Sequence, residues 1–185
     1  IEFKEQIEKA WPGAAFYKTS KPWTLKMLMV GRKDVVDLKP LKDVPLVHLD
    51  LRNCSELKDL SGIEGAPLEW LAIPHCQKLT DLSPLAGAPL QWFNMTGCRK
   101  VTDVSPLKGM PLETLYISAW KGSTPVEDIS ALKGMSLIEL NVSYCKISDL
   151  SPLAGMTSLK TLNIHSTKVT DLSPLKGLQL ESLSM

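Results

Sequence analysis

The feature that most constrains this chain is a period. Segments beginning at Pro45, Pro67 and Pro89 read PLVHLDLRNCSELKDLSGIEGA, PLEWLAIPHCQKLTDLSPLAGA and PLQWFNMTGCRKVTDVSPLKGM, each 22 residues long. A fourth copy from Pro111 is three residues longer, and two more start at Ser136 and Ser158 with a one-residue contraction. Partial copies, Leu25 to Val44 and Gln179 to Met185, complete the series. A repeat of this length is one supersecondary unit that cannot bury its apolar side alone, so the units must stack.

Within each unit the spacing is L-x-x-L-x-L-x-x-C: Leu46, Leu49, Leu51 and Cys54, then Leu68, Leu71, Ile73 and Cys76, then Leu90, Phe93, Met95 and Cys98. The alternation predicts a short strand with one buried face, and the later leucines belong to an arch that folds back beneath it. Stacked units then pair their strands in parallel, about 4.8 Å apart. In the second half, Ser83-Pro84, Ser105-Pro106, Ser151-Pro152 and Ser173-Pro174 are each followed by Gly87, Gly109, Gly155 or Gly177. Serine is read here as the cap of a helical turn, with Pro at its first position and Gly stopping it at once. Single 3₁₀ or α turns are therefore expected on the convex side.

This pattern resembles the leucine-rich repeat family, and within it the short 22-residue bacterial type of the internalins, whose arch also reads D-[IL]-x-P-L. The wording D-L-S-P-L-K-G is closer still to repeats attached to serine/threonine-kinase-like proteins of some bacteria. The resemblance covers about residues 23 to 185. It implies an α/β, right-handed solenoid with a parallel sheet on the concave face, and a signalling or surface parent protein. Fold does not fix ligand, so function has to come from the residues.

Residues 1–22 are read as an N-terminal helical cap and 23–185 as the repeats, with about seven strands and an incomplete last copy. Phe3, Ile7, Ala10 and Trp11 share one helical face, Pro12-Gly13 breaks the helix, and Ala15-Phe16-Tyr17 is strand-like. The chain begins at Ile1, not Met, and Leu180 and Leu183 occupy leucine positions of a further strand just before Met185. The expectation is that it is a piece of something longer, continuing into more repeats or a closing element.

Twenty-one Lys and Arg against 20 Asp and Glu give a net charge of +1, so no general attraction to nucleic acid or anionic lipid is built in. The sequence has no long apolar run, and membrane insertion is not expected. Cys54, Cys76, Cys98 and Cys145 hold the same place in their repeats and form no C-x-x-C, which reads as a ladder of buried free thiols and not as zinc or disulfide chemistry. Such thiols point to a reducing compartment, the cytoplasm, with the cell surface as the alternative. His48, His75 and His165 are too scattered to share a metal. Asp37, Asp59, Asp81, Asp103, Asp128, Asp149 and Asp171 form an acidic column read as one Asx-type turn per arch. No catalytic motif occurs, and no enzyme activity, cofactor or small-molecule substrate is expected.

What remains is the concave face. One column across it reads Met27, His48, Trp70, Trp92, Thr114, Glu139, Thr161 and Ser182; the next reads Met29, Asp50, Ala72, Asn94, Tyr116, Asn141, Asn163 and Ser184. A third begins Gly31, Arg52, Pro74 and Thr96. The N-terminal half is aromatic and sulfur-rich, the C-terminal half small and polar. Trp and Tyr are enriched at interface hot spots. The candidate ligand-binding residues are therefore Met27, Met29, His48, Asp50, Arg52, Trp70, Trp92, Asn94 and Tyr116. They would take a protein or peptide by aromatic stacking and apolar burial, with Asp50, Arg52 and Asn94 orienting it. The enlarged loop from Trp120 to Pro125 is expected to wall the site, or Trp120 to fill the arch. The alternative is a spacer or stalk with no ligand.

Overall fold

Each repeat contributes one strand of three to five residues, because the alternating positions between the second and third leucines are the only stretch with a two-residue period. The computed structural model describes residues 3–20, 25–119, 122 and 124–185; the boundary placed at residues 22 and 23, and Trp120 itself, lie outside them. Helix α1 (Lys4–Ala10) leads into β1 (Ala15–Lys18) and β2 (Leu25–Leu28). The repeats then supply β3 (Leu46–Asp50), β4 (Trp70–Ala72), β5 (Trp92–Asn94), β6 (Thr114–Tyr116), β7 (Glu139–Asn141), β8 (Thr161–Asn163) and β9 (Ser182–Ser184). These form one sheet of nine strands in chain order. β1 joins β2 antiparallel, and every later pair is parallel. From Leu25 onward there are eight strands, one more than the sequence suggested, because the short terminal segment also pairs.

Beneath the sheet the leucines stack into one continuous core that runs from Ile7 and Trp11 of the cap region to Ile164. Burial of each Leu, Ile or Phe stabilises by about 1.5–3 kcal/mol, and only stacked units provide it. The cap is tied on by polar contacts as well. Gln6 Nε2 donates to the Pro40 carbonyl at 2.8 Å, and Arg32 Nη1 donates to the Pro12 carbonyl at 3.1 Å.

The convex side carries 3₁₀ turns at Lys39–Leu41, Ser83–Leu85, Ser105–Leu107, Ser130–Leu132, Ser151–Leu153 and Ser173–Leu175. Their capping differs from the sequence reading in one respect. In all but the Lys39–Leu41 turn, serine opens the turn from inside it and makes no capping bond; the preceding Leu, Val or Ile holds the cap position. The aspartate two residues upstream of the serine does the work instead. Asp81 Oδ1 accepts the Ser83 N–H at 2.8 Å and Oδ2 accepts the Ser83 hydroxyl at 2.7 Å. The same pair of bonds recurs at Asp59, Asp103, Asp128, Asp149 and Asp171. Donated hydrogen bonds from serine favour the charged form, so Asp59, Asp81, Asp149 and Asp171 titrate below the usual carboxylate range. The acidic column is thus a set of arch braces.

The thiols of Cys54, Cys76 and Cys98 each donate to a main-chain carbonyl of the preceding repeat, at Met29, Leu51 and Ile73, over 2.8, 3.3 and 3.0 Å. All four cysteines are buried and free, and burial pushes their pKa values up.

Two arches lack the Pro after Ser, at Ser61-Gly62 and Ser130-Ala131. Gly62 stands where most other repeats have Pro, at φ +109°, and a Cβ there would meet the Leu38 carbonyl and lie 2.8 Å from Lys39 Cα. Gly87, at φ +75°, faces open space. Gly62→Ala is therefore expected to cost more than about 2 kcal/mol and Gly87→Ala only about 1 kcal/mol, from its backbone conformation alone. Denaturant melts of the two variants check this; equal losses would mean the arch around Leu38 yields freely.

Candidate functional site

The concave surface is built by side chains between the leucines, and strand register decides which of them share a row. Trp70 pairs with His48 and with Trp92, and Trp92 with Thr114, so these residues line one row, with Asp50, Ala72, Asn94 and Tyr116 in the next. The expected columns hold from β3 onward.

At β2 they do not. Leu25 pairs with Leu46, but Lys26 then pairs with His48, so Val47 is bulged out of register. β2 lacks the extra residue that separates the first two leucines elsewhere. Its alternation is strict, and this puts Met27 opposite Leu49 and points it into the core. Met27 and Met29 are 0% and 1% exposed. Neither can touch a ligand on the concave face, and both are withdrawn as site residues. Their places are taken by Lys26 and Leu28, and Val30, 49% exposed, stands where Gly31 was expected. The antiparallel strand β1 adds Tyr17 opposite Lys26 and Ala15 opposite Leu28. The first row thus runs Tyr17, Lys26, His48, Trp70, Trp92, Thr114, Glu139. The sequence signal for it was the one-residue shortening L-x-L-x-L at Leu25, Met27 and Met29.

Rings in that row form a stack. The imidazole of His48 lies 3.8 Å from the Trp70 ring and parallel within 1°, and Trp70 lies 4.3 Å from Trp92 within 5°. Tyr116 closes the far side edge-on to Trp92, at 5.8 Å and 70°. Offset and edge-to-face contacts of this kind add about 0.5–1.5 kcal/mol each beyond area burial. The indole faces are consequently occupied by one another, and all four side chains are half-buried. Ligand stacking on those faces, expected from the sequence, is replaced by an upright palisade whose rims alone reach solvent. Burial, first, and the neighbouring Glu139 carboxylate hold the Tyr116 phenol up at about 12, so it stays a neutral donor.

The polar members of the candidate set are also engaged. Asp50 is 4% exposed and is held by Arg52, whose Nε lies 3.0 and 2.9 Å from its two oxygens and whose Nη2 lies 2.7 Å from Oδ2. Oδ1 of Asp50 also accepts the Arg52 N–H. Asn94 Oδ1 accepts the Thr96 N–H at 2.9 Å, and Asn141 and Asn163 repeat the bond to Ser143 and His165. The column is a row of Asx turns at Asp50, Asn94, Asn141 and Asn163, broken at Tyr116. Ala72 interrupts it where the residue two further on is Pro74, which has no N–H to offer. Ala72 leaves a low floor beside Trp70, with Pro74 next along the strand.

Lys26 and Arg52 flank His48. Partial burial, then the Lys26 charge, pull the imidazole down to about 4, with Arg52 adding to the shift and Asp50 opposing it. Among the described residues no group of three or more metal-ligating side chains gathers, and no helix is long and apolar enough to cross a membrane.

A parallel sheet of repeat strands over a leucine core, closed on the convex side by 3₁₀ turns, defines a leucine-rich-repeat solenoid. In fold and sequence pattern the chain is similar to the bacterial internalins. Residues 136–177 match the family described as leucine rich repeats (2 copies). The crystal structure of internalin C2 from Listeria monocytogenes superposes with a TM-score of 0.71 at 28% identity, covering 88% of this chain and 80% of that one. A second internalin of that organism, inlF, gives a TM-score of 0.48 at 21% identity over 86% of this chain and 66% of its own. No curated protein matches.

The depressed imidazole gives a check. Free histidine titrates near 6.5 and the folded His48 near 4, so the native state resists protonation. The stability tied to neutral His48 is complete above pH 6.5 and is lost as pH falls toward 4. A proton NMR titration should place the His48 midpoint well below the ordinary imidazole value, and a midpoint near 6.5 would contradict the packed stack.

Proposed function

We propose that this chain is a non-catalytic recognition module that binds a protein or peptide through the N-terminal half of its concave face. It would serve a larger signalling or surface protein, with residues 1–22 as cap and 23–185 as the repeat domain. Leucine-rich-repeat proteins generally bind protein partners. The observation that carries the reading is the unbroken ring contact from His48 through Trp70 and Trp92 to Tyr116 of the adjoining row. It is a rigid, half-buried aromatic ridge beside the exposed Val30, the half-buried Leu28 and Pro74, and the small, buried Ala72. Contiguous apolar surface on a soluble chain commonly marks an interaction site, and rims held by stacking lose little further freedom on binding.

The self-contained stacking also favours a second reading, in which the rings only stiffen the sheet of a spacer. The two separate experimentally. Peptides selected from a displayed random library on the immobilised protein should lose at least about 2 kcal/mol of binding, roughly thirtyfold, in Trp92→Ala, and little in Thr161→Ala. Circular dichroism melts of both variants report whether the fold persists. Failure to enrich any peptide, or equal effects of the two substitutions, would favour the spacer.

A further inference from the structure

Charge on the concave face is unevenly placed. In the first row Lys26 precedes His48, and Arg52 leaves the next strand position but one, so two cations border the aromatic stack at its β2–β3 end. Further along the row, beyond Thr114, Glu139 is acidic. The Lys26 ammonium makes no hydrogen bond or ion pair with the described residues. Arg52 commits Nε and Nη2 to Asp50, yet its side chain remains 49% exposed while that of Asp50 is 6% exposed. The carboxylate is covered and the guanidinium, with Nη1, looks outward. Both cations bear on His48, Lys26 more strongly than Arg52, and Asp50 is the acid facing it; no other charged group acts on it appreciably. A basic corner therefore sits directly beside an apolar one.

We infer that the segment this face takes carries an acidic side chain close to an apolar one, the carboxylate lying at Lys26 and Arg52 and the apolar group over Trp70, Ala72 and Trp92. The inference rests on the recognition reading above and specifies its partner. Two rungs of parallel strand separate Lys26 from Trp70, about 10 Å, which an extended peptide crossing the strands covers in about two to four residues. The open Nη1 of Arg52 and the ammonium of Lys26 accept a carboxylate without disturbing the Asp50 pair. Neutral His48 adds no charge of its own at physiological pH. A nucleic acid fits less well, because base stacking needs a free tryptophan face, and both faces of Trp70 are covered by His48 and Trp92 while Tyr116 abuts the far side of Trp92.

The test is an array of short synthetic peptides that share a Trp-Leu pair and carry Asp-Glu, Lys-Lys or Ser-Ser at increasing separations from it. A short oligothymidylate is spotted beside them. The wild-type protein is expected to retain the acidic set about tenfold over the basic set, best at a separation of about two to four residues, with the preference weakening as salt is raised. Lys26→Glu should cut binding to the acidic set about fivefold and improve the basic set, and Lys26→Met should lower the preference without inverting it. Melting curves of both variants confirm folding, and Arg52 is left intact so that Asp50 keeps its partner. Binding that depends on Trp92 but ignores the charge of the peptide would overturn this inference and leave the recognition reading standing. Retention of no peptide would overturn both. Preferential binding of the oligothymidylate would overturn the choice of partner.

Discussion

The backbone ladder between repeats is the interaction on which the structure depends. The residue leaving each strand donates its N–H to the carbonyl that ends the next: Leu51 to Ala72, Ile73 to Asn94, Met95 to Tyr116, Ile117 to Asn141, Val142 to Asn163 and Ile164 to Ser184, all at 2.8–2.9 Å. A second rung follows from Asn53 to Pro74, His75 to Thr96, Gly97 to Ser118 and Tyr144 to His165. The donors Asn53, His75, Gly97 and Tyr144 hold left-handed backbone there, with φ between 60° and 77°. Because the ladder keeps one register, it stacks leucine on leucine below the sheet and ring on ring above it. Core and recognition face are therefore two sides of one constraint.

Much of this was legible in the residues because a period repeats its own evidence. The leucine spacing located the strands, the Asp column located the arches, and the cysteines fell where a buried ladder needs small side chains. The failures share a physical cause: local exceptions to a repeat are invisible until the strands are paired. Met27 and Met29 were placed on the wrong face because one residue is absent from β2, and a one-residue slip sends a side chain to the opposite face. Asn94 and Asp50 look like ligand groups in a column, yet each is consumed by its own strand end. Lys26, Leu28, Val30 and Tyr17 were missed for the same reason that the methionines were chosen.

The aromatic row also shows how a recognition surface can be pre-ordered without a pocket. Exposed tryptophans on a flat sheet would sample several rotamers and lose that freedom on binding. Here His48, Trp70 and Trp92 brace each other within 5° of parallel, and the Tyr116 ring abuts the last of them. Rotamer entropy is thus removed by folding and not by the ligand. Among the described residues the C-terminal half has no counterpart of this order; its one ring pair there, Tyr144 and His165, meets edge to face at 5.4 Å, and Glu, Thr, Asn and Ser fill the outward positions of β7, β8 and β9.

The cysteine ladder has a consequence for how such a stack comes apart. In nearest-neighbour folding each unit is secured by the interfaces on either side of it, so opening can spread from one repeat to the next without a single global event. Cys54, Cys76, Cys98 and Cys145 lie in four different repeats, each thiol directed at a carbonyl of an earlier one. A thiol is exposed only when its own interface parts. The chain consequently carries a built-in gauge with four graduations, from which the order in which the rungs separate can be read chemically.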